Sequence, residues 1–190
     1  MHKLIEADRH LFYLINGKWT NSFFDSVMPF LRAPHMWVPL YIFLIIFVLV
    51  NYKSNRIWWL VFFGGTAIIC DFISSDIIKE NIFRLRPVND ETLIPAARSL
   101  LAYKPSSSGF TSSHAVNHFG LATFFYFTLK ESIGKWATLF FVWAFLIIYA
   151  QVYVGVHFPL DVLCGAILGI LFGYLSSGFY NKNYGLVKTI

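Results

Sequence analysis

The chain has 190 residues, enough for one domain. Hydrophobic residues make up 57% and charged residues 13%, against about 45–50% and about 25% in soluble proteins, and the mean hydropathy is +0.59. A water-soluble chain of this size could not hide so much apolar surface, so the composition indicates a polytopic membrane protein. The net charge of +5 comes without any basic run, so nucleic acid is not an expected partner.

In the first 32 residues, apolar stripes alternate with charge. Leu4, Leu11 and Ile15 share one helical face, with Glu6, Asp8, Arg9 and His10 interspersed. Trp19, Phe23, Val27 and Phe30 form a second stripe, opposed by Asn21 and Asp25. Two amphipathic helices lying in the membrane interface fit residues 1–32. A single span over Leu11–Leu31 is the alternative, and it must bury Asn16, Lys18 and Asp25. Five segments then approach the roughly 17–25 residues of a spanning helix: Met36–Tyr52, Ile57–Ile78, Ser113–Leu129, Trp136–Val154 and Phe158–Phe179. The expected fold is all-α, a polytopic helical bundle of about five spans plus N-terminal amphipathic helices, with residues 1–190 forming one membrane-embedded domain. Cys70 and Cys164 lie inside apolar segments and are expected to pack rather than pair.

Residues 80–110, between the second and third spans, form a polar stretch containing Pro87, Pro95, Pro105, Gly109 and a serine run. Loops of this length are usually functional or mobile, and this one is expected to serve an extracytoplasmic active site. Lys53, Arg56, Lys130, Lys135, Lys182 and Lys188 fall on one side of the predicted spans, which makes that side cytoplasmic. Lys79, Arg86, Arg98, Lys104, His114 and His157 fall on the other, against the positive-inside trend, so a local task is expected to hold them there.

Three short stretches at the edges of the spans carry ionisable groups. Lys79 and Arg86 are seven apart and would share a face on a continuing helix. Together they could hold a phosphate dianion, or else snorkel to headgroups. Ser112-Ser113-His114 opens the third span, where hydroxyls and free backbone N–H groups make an anion site and a histidine could act as general acid. A plain N-cap serine beside an interfacial histidine is the other reading. His157 and Asp161 meet on one face if a helix begins near His157. The carboxylate would fix the imidazole tautomer and free the other nitrogen as a nucleophile, or simply face the helix dipole. His114 and His118 have the i, i+4 spacing of a metal pair. His157 and Asp161 could complete a ligand set, but no carboxylate lies near the first pair, and Lys79 and Arg86 would repel a cation, so His118 is expected to be a packing residue.

Taken together, these stretches resemble the signature of the type-2 phosphatidic acid phosphatase family, relatives of the vanadium haloperoxidases. The family pattern is Lys-x6-Arg-Pro, then Pro-Ser-Gly-His, then Ser-Arg-x5-His-x3-Asp. Lys79 to Pro87 matches the first in full. Thr111-Ser112-Ser113-His114 matches the second at Ser and His, and His157 and Asp161 match the third at the right spacing. Ala150-Gln151 stands where the family has Ser-Arg. The resemblance implies a metal-free lipid phosphatase without cofactor, whose site faces the periplasm or exterior of the cell's inner membrane. It further implies that His157 attacks phosphorus, Asp161 orients it and His114 protonates the leaving oxygen. Lys79, Arg86, Ser112, Ser113 and Gln151 would bind phosphate. A cation lost at Gln151 is expected to be replaced, by Arg98 before Arg84. The implied partner is a lipid phosphate: undecaprenyl diphosphate, phosphatidylglycerol phosphate, phosphatidic acid or lipid A phosphate, with a lean to the first. No obligate protein partner is evident. A catalytically inactive lipid-phosphate binding or transport-accessory protein is the alternative that Gln151 raises.

Overall fold

The computed structural model describes residues 2–188; the remaining positions of the expected 1–190 domain, residues 1, 189 and 190, lie outside the described residues. Helix α1 (His2–Tyr13) runs into a π turn at Leu14–Lys18 and is followed by α2 (Ser22–Leu31). Asn21 starts α2, its Oδ1 accepting the Phe24 N–H at 2.9 Å, a side-chain cap for an otherwise unpartnered backbone donor. These are the two short amphipathic helices of the sequence reading, and neither is long enough to span.

The apolar helical stretches long enough to cross a bilayer are α3 (Pro34–Asn51), α4 (Arg56–Asn81), the run 113–153 and α7 (Pro159–Asn183). The run 113–153 is two helices, α5 (Ser113–Ile133) and α6 (Leu139–Tyr153), separated at Gly134, whose φ of 59° ends α5 in a conformation glycine tolerates best. Ring contacts pair Phe125 with Phe140 and His118 with Trp143, so α6 runs back antiparallel along α5. The five predicted segments are therefore all helical, within four apolar runs of spanning length. Large apolar side chains left exposed on them, such as Phe43, Ile46, Val50, Ile68 and Phe145, cover the bundle's outer surface. The chain is an integral membrane protein.

α5 is the central helix, packed against α4, α6 and α7. It runs parallel to α7 at backbone contact. A Cβ on Gly165 would lie 2.8 Å from Ser112 O, one on Gly169 would lie 2.4 Å from Val116 O, and one on Gly173 would lie 2.2 Å from Gly120 O. Small residues at every fourth position allow this approach. Because the two helices point the same way, Ser112–His114 and His157–Asp161, which open them, arrive at the same end of the bundle. The opposite end is closed by β1 (Tyr52–Ser54) pairing antiparallel with β2 (Val187–Lys188), and by Asn55 Nδ2 donating to Tyr184 O at 2.7 Å. Tyr52 also hydrogen-bonds Ser132 there. That end gathers the turns bearing Lys53, Arg56, Lys130 and Lys135.

The polar stretch after α4 is tied down by the N-terminal helices. Arg9 pairs with Asp90 at 3.1 Å. Asn16, 2% exposed, donates to Arg98 O and Tyr153 O at 3.0 and 2.7 Å and accepts the Arg98 N–H at 2.8 Å. Arg98 pairs with Asp25, which also accepts from the Tyr153 hydroxyl at 2.6 Å. Asn16 and Asp25, two of the polar residues that argued against an N-terminal span, thus hold the loop. Cys70 and Cys164 are both free thiols.

Candidate active site

Lys79 stands near the end of α4, but the helix stops at Asn81 and residues 82–86 run extended, with Arg86 at φ −78°, ψ 151°. The expected shared helical face of Lys79 and Arg86 therefore does not form. Pro87 disfavours helical backbone at the residue before it. In extended chain alternate residues point the same way, which sends Arg84 inward alongside Arg86 rather than away from it.

Arg86 is 6% exposed and uses its whole fork. Nε donates to Ser107 O at 2.8 Å, and Nη2 to Ser107 Oγ at 3.0 Å and Ser108 O at 3.2 Å. Nη1 reaches Val156 O at 3.3 Å and His157 Nε2 at 3.2 Å. A guanidinium has no acceptor, so Nε2 must accept and the ring proton sits on Nδ1. That nitrogen faces Asp161 Oδ2 at 3.7 Å, aligned with the carboxylate but beyond hydrogen-bond length. His157 is 2% exposed, and burial pushes its imidazole down to about 4 against the opposing pull of Asp161.

Helix α7 begins at Pro159, so His157 lies just before it and Asp161 sits in its first turn. Asp161 Oδ2 accepts the Phe158 N–H at 2.9 Å, and Oδ1 accepts from Arg84 Nη1 at 2.5 Å. Arg84 Nη2 donates equally closely, at 2.5 Å, to Asp8. Asp8 Oδ1 in turn accepts the Leu160 N–H at 2.8 Å. One arginine thus joins two fully buried carboxylates, one from α1 and one from α7. Gly109 packs against Arg84 and Asp161, since a Cβ there would lie 3.3 Å from Arg84 O and 3.4 Å from Asp161 Oδ2.

At the start of α5, the Ser112 N–H donates to Asp161 O at 3.2 Å, linking the two helix N-termini. Ser112 is fully buried and its hydroxyl has no protein hydrogen-bond partner. Ser113 Oγ accepts from Lys79 Nζ at 2.6 Å. His114 presents a buried Nε2 without a protein partner and lines a cavity of about 340 Å³ with Ser113, Asn117 and His118. His118 Nδ1 donates to His114 O at 2.8 Å while its ring edges Trp143, the contacts of a packing residue. Among the described residues no group of three His, Cys, Asp or Glu is placed to hold a metal.

Gln151 is fully buried, near the end of α6. Neither arginine expected to replace the missing cation reaches it. Arg98 donates to both oxygens of Asp25, at 2.8 and 3.2 Å, and Arg84 is held by Asp8 and Asp161. The arginine that does reach it is Arg32, at the C-terminal cap of α2, its Nε donating to Gln151 Oε1 at 3.3 Å. No motif marks Arg32 or Asp8. Their only sequence signal is that both are charges within an otherwise amphipathic interfacial segment.

The sequence profile described as the PAP2 superfamily matches residues 56–184. A lipid A 4'-phosphatase of Bacteroides thetaiotaomicron is 30% identical over 175 residues, 90% of this chain and 76% of that protein. An undecaprenyl-diphosphatase of Sulfolobus acidocaldarius is 29% identical over 174 residues, 87% and 75% of the two chains. The crystal structure of a transmembrane PAP2-type phosphatidylglycerolphosphate phosphatase from Bacillus subtilis superposes with a TM-score of 0.72 at 23% identity, covering 96% of this chain and 89% of that one. Profile, relatives and shared fold converge: the chain belongs to the PAP2 superfamily, as an integral membrane hydrolase of phosphate esters.

Proposed function

We propose that this protein hydrolyses the phosphate of a membrane lipid at the outer face of the inner membrane through a phosphohistidine on His157. The observation that carries the reading is the contact between Arg86 Nη1 and His157 Nε2, which leaves the ring proton facing Asp161 and the nucleophilic lone pair on the nitrogen beside a buried cation. In the first half-reaction the Nε2 lone pair forms a bond to phosphorus as the bond from phosphorus to the lipid oxygen breaks. The leaving oxygen takes a proton from His114, which enters the cycle as imidazolium beside the bound dianion. In the second, water attacks the phosphohistidine and returns a proton to His114. The P–N bond breaks, and orthophosphate and the lipid alcohol are released. Lys79, Arg86, Ser112, Ser113 and Gln151 serve the phosphate oxygens, and Asp161 steadies the charged ring.

An apolar groove of about 480 Å³ between α1 and α6–α7, lined by Leu4, Leu11, Tyr149 and Leu163, passes beside Leu160 and gives an acyl chain a path to the site. The lipid A 4'-phosphatase, with the greater identity and coverage of the two relatives, supports a lipid A-type phosphomonoester ahead of the undecaprenyl diphosphate favoured from sequence.

The test is phosphate release by purified protein in detergent from lipid A, undecaprenyl diphosphate, phosphatidylglycerol phosphate and phosphatidic acid. Turnover is expected to survive EDTA and to be blocked by orthovanadate. His157→Ala is expected to lower it by at least about 10³-fold and to abolish an acid-labile, base-stable phosphoprotein. Full activity in His157→Ala, or loss on chelation with recovery on added zinc, overturns the mechanism.

A further inference from the structure

Gln151 occupies the position where the family signature has arginine, yet it is not an inert replacement. Its side chain is fully buried. Arg32 can only donate, so the atom it contacts at 3.3 Å is Oε1, and the amide orientation is fixed. The Nε2 group is thereby turned to the other side, buried and without a protein hydrogen-bond partner. Burying an amide NH2 with no acceptor is costly unless an acceptor arrives.

Arg32 is half-buried, and among the described residues no carboxylate pairs with it. The other arginines at this end of the bundle differ. Arg9, Arg84 and Arg98 are each neutralised by aspartate. Arg86 is engaged by the loop carbonyls and His157. Its contact with Gln151 brings it to the end of the bundle that holds Arg86 and His114, within electrostatic range of both. Its backbone is held there by the capping turn, Arg32 N–H donating to Met28 O at 3.2 Å, and by Trp37 Nε1 donating to Leu31 O at 2.8 Å.

We infer that Arg32 and Gln151 together form one divided phosphate-binding group, Arg32 supplying the positive charge and Gln151 the N–H donors that a single arginine at position 151 would combine. The cation has moved from α6 to α2, and the amide left behind is oriented by it. The ligand chemistry is a phosphoryl group with charge developing on its equatorial oxygens, where one arginine contact commonly matters by about 10²–10³-fold.

This inference rests on the lipid-phosphatase reading, so the experiment uses two readouts on the same proteins: turnover of the best lipid phosphate and equilibrium binding of inorganic orthovanadate. Four proteins are compared: parent, Arg32→Gln, Gln151→Arg, and the double variant Arg32→Gln/Gln151→Arg. Arg32→Gln is expected to lower kcat/KM by about 10²-fold or more and to weaken vanadate binding at least about tenfold. Gln151→Arg alone crowds two cations and is expected to be slower than the parent. The double variant restores the charge at the other address and is expected to return to within about tenfold of the parent in both readouts. Parent-like behaviour of Arg32→Gln, or a double variant no better than Arg32→Gln, overturns the inference. So does a fall in thermal midpoint in Arg32→Gln that the double variant does not reverse, because Arg32 is then structural. A parent inert on every lipid sinks the phosphatase reading instead, and vanadate binding still decides the role of Arg32.

Discussion

At His157 burial and a charged neighbour act on the same ring. The imidazole is buried, Arg86 covers Nε2 and Asp161 faces Nδ1. Burial brings its pKa from the unfolded value of about 6.5 down to about 4, so the ring stays neutral throughout the physiological range, as the proposed nucleophile requires. The sign for stability follows. The unfolded chain binds a proton at this residue as pH falls below about 6.5 and the folded one does not until about 4, so stability is full above the first value and declines between them. A 15N NMR titration of labelled histidine, assigned with His157→Ala, is expected to show no protonation of His157 above about pH 5. A midpoint near 6.5 would contradict the buried site. The pair His157 and Asp161 was legible from spacing alone, because four residues around a helix start fix their relation. Arg84 was not. On a continuing helix it would point away from Arg86, and only the extended backbone before Pro87 turns both arginines to the same side. Arg32 escaped because its partner is 119 residues away in sequence, a relation that no local period encodes.

The elements that position the chemistry are α5 and α7. Their extents were readable, since apolar runs bounded by charge and proline specify spans: the observed starts fall within one residue of the expected ones, and both helices run four residues further at the C-terminal end. Their pairing was not read, although Gly165, Gly169 and Gly173 carry the spacing that brings two helices to backbone contact. A side chain at Gly169 would meet the Val116 carbonyl, an obstacle that no rotamer change removes. Gly169→Val is therefore expected to separate the helices, destabilise the protein by more than the roughly 1–3 kcal/mol typical of overpacking, and lower kcat/KM by moving Ser112 and His114 relative to His157. Gly178→Ala, on the same helix with open space around it, is expected to leave both thermal midpoint and turnover unchanged. Equal tolerance of the two substitutions in detergent would show that close contact does not set the site. The end of α4 at Asn81 differs from the continuing helix expected to carry Lys79 and Arg86 on one face: the chain becomes extended five residues before Pro87.

Across the whole molecule, the candidate site is gathered at one end and basic turns at the other, and the orientation we propose from the positive-inside trend puts the basic end in the cytoplasm. In a background carrying Cys70→Ala and Cys164→Ala, Ser54→Cys is expected to resist membrane-impermeant maleimide in intact cells and Glu91→Cys to react. The opposite pattern would put the site in the cytoplasm. The helical class and the number of spans followed from composition and segment length. What remained hidden was the work of residues 2–32, whose polar groups fasten the loop over the site through partners more than 70 residues distant. The arginine joined to Asp8 and Asp161 has a consequence for biosynthesis. Asp8 precedes Arg84 by 76 residues and Asp161 follows it by 77, so a ribosome adding about 5–20 residues per second delivers the second carboxylate roughly 4–15 s after the arginine. A nascent chain therefore carries Arg84 half-neutralised, and without the histidine proposed as nucleophile, until the last apolar helix is being synthesised; His157 and the second carboxylate arrive within four residues of each other.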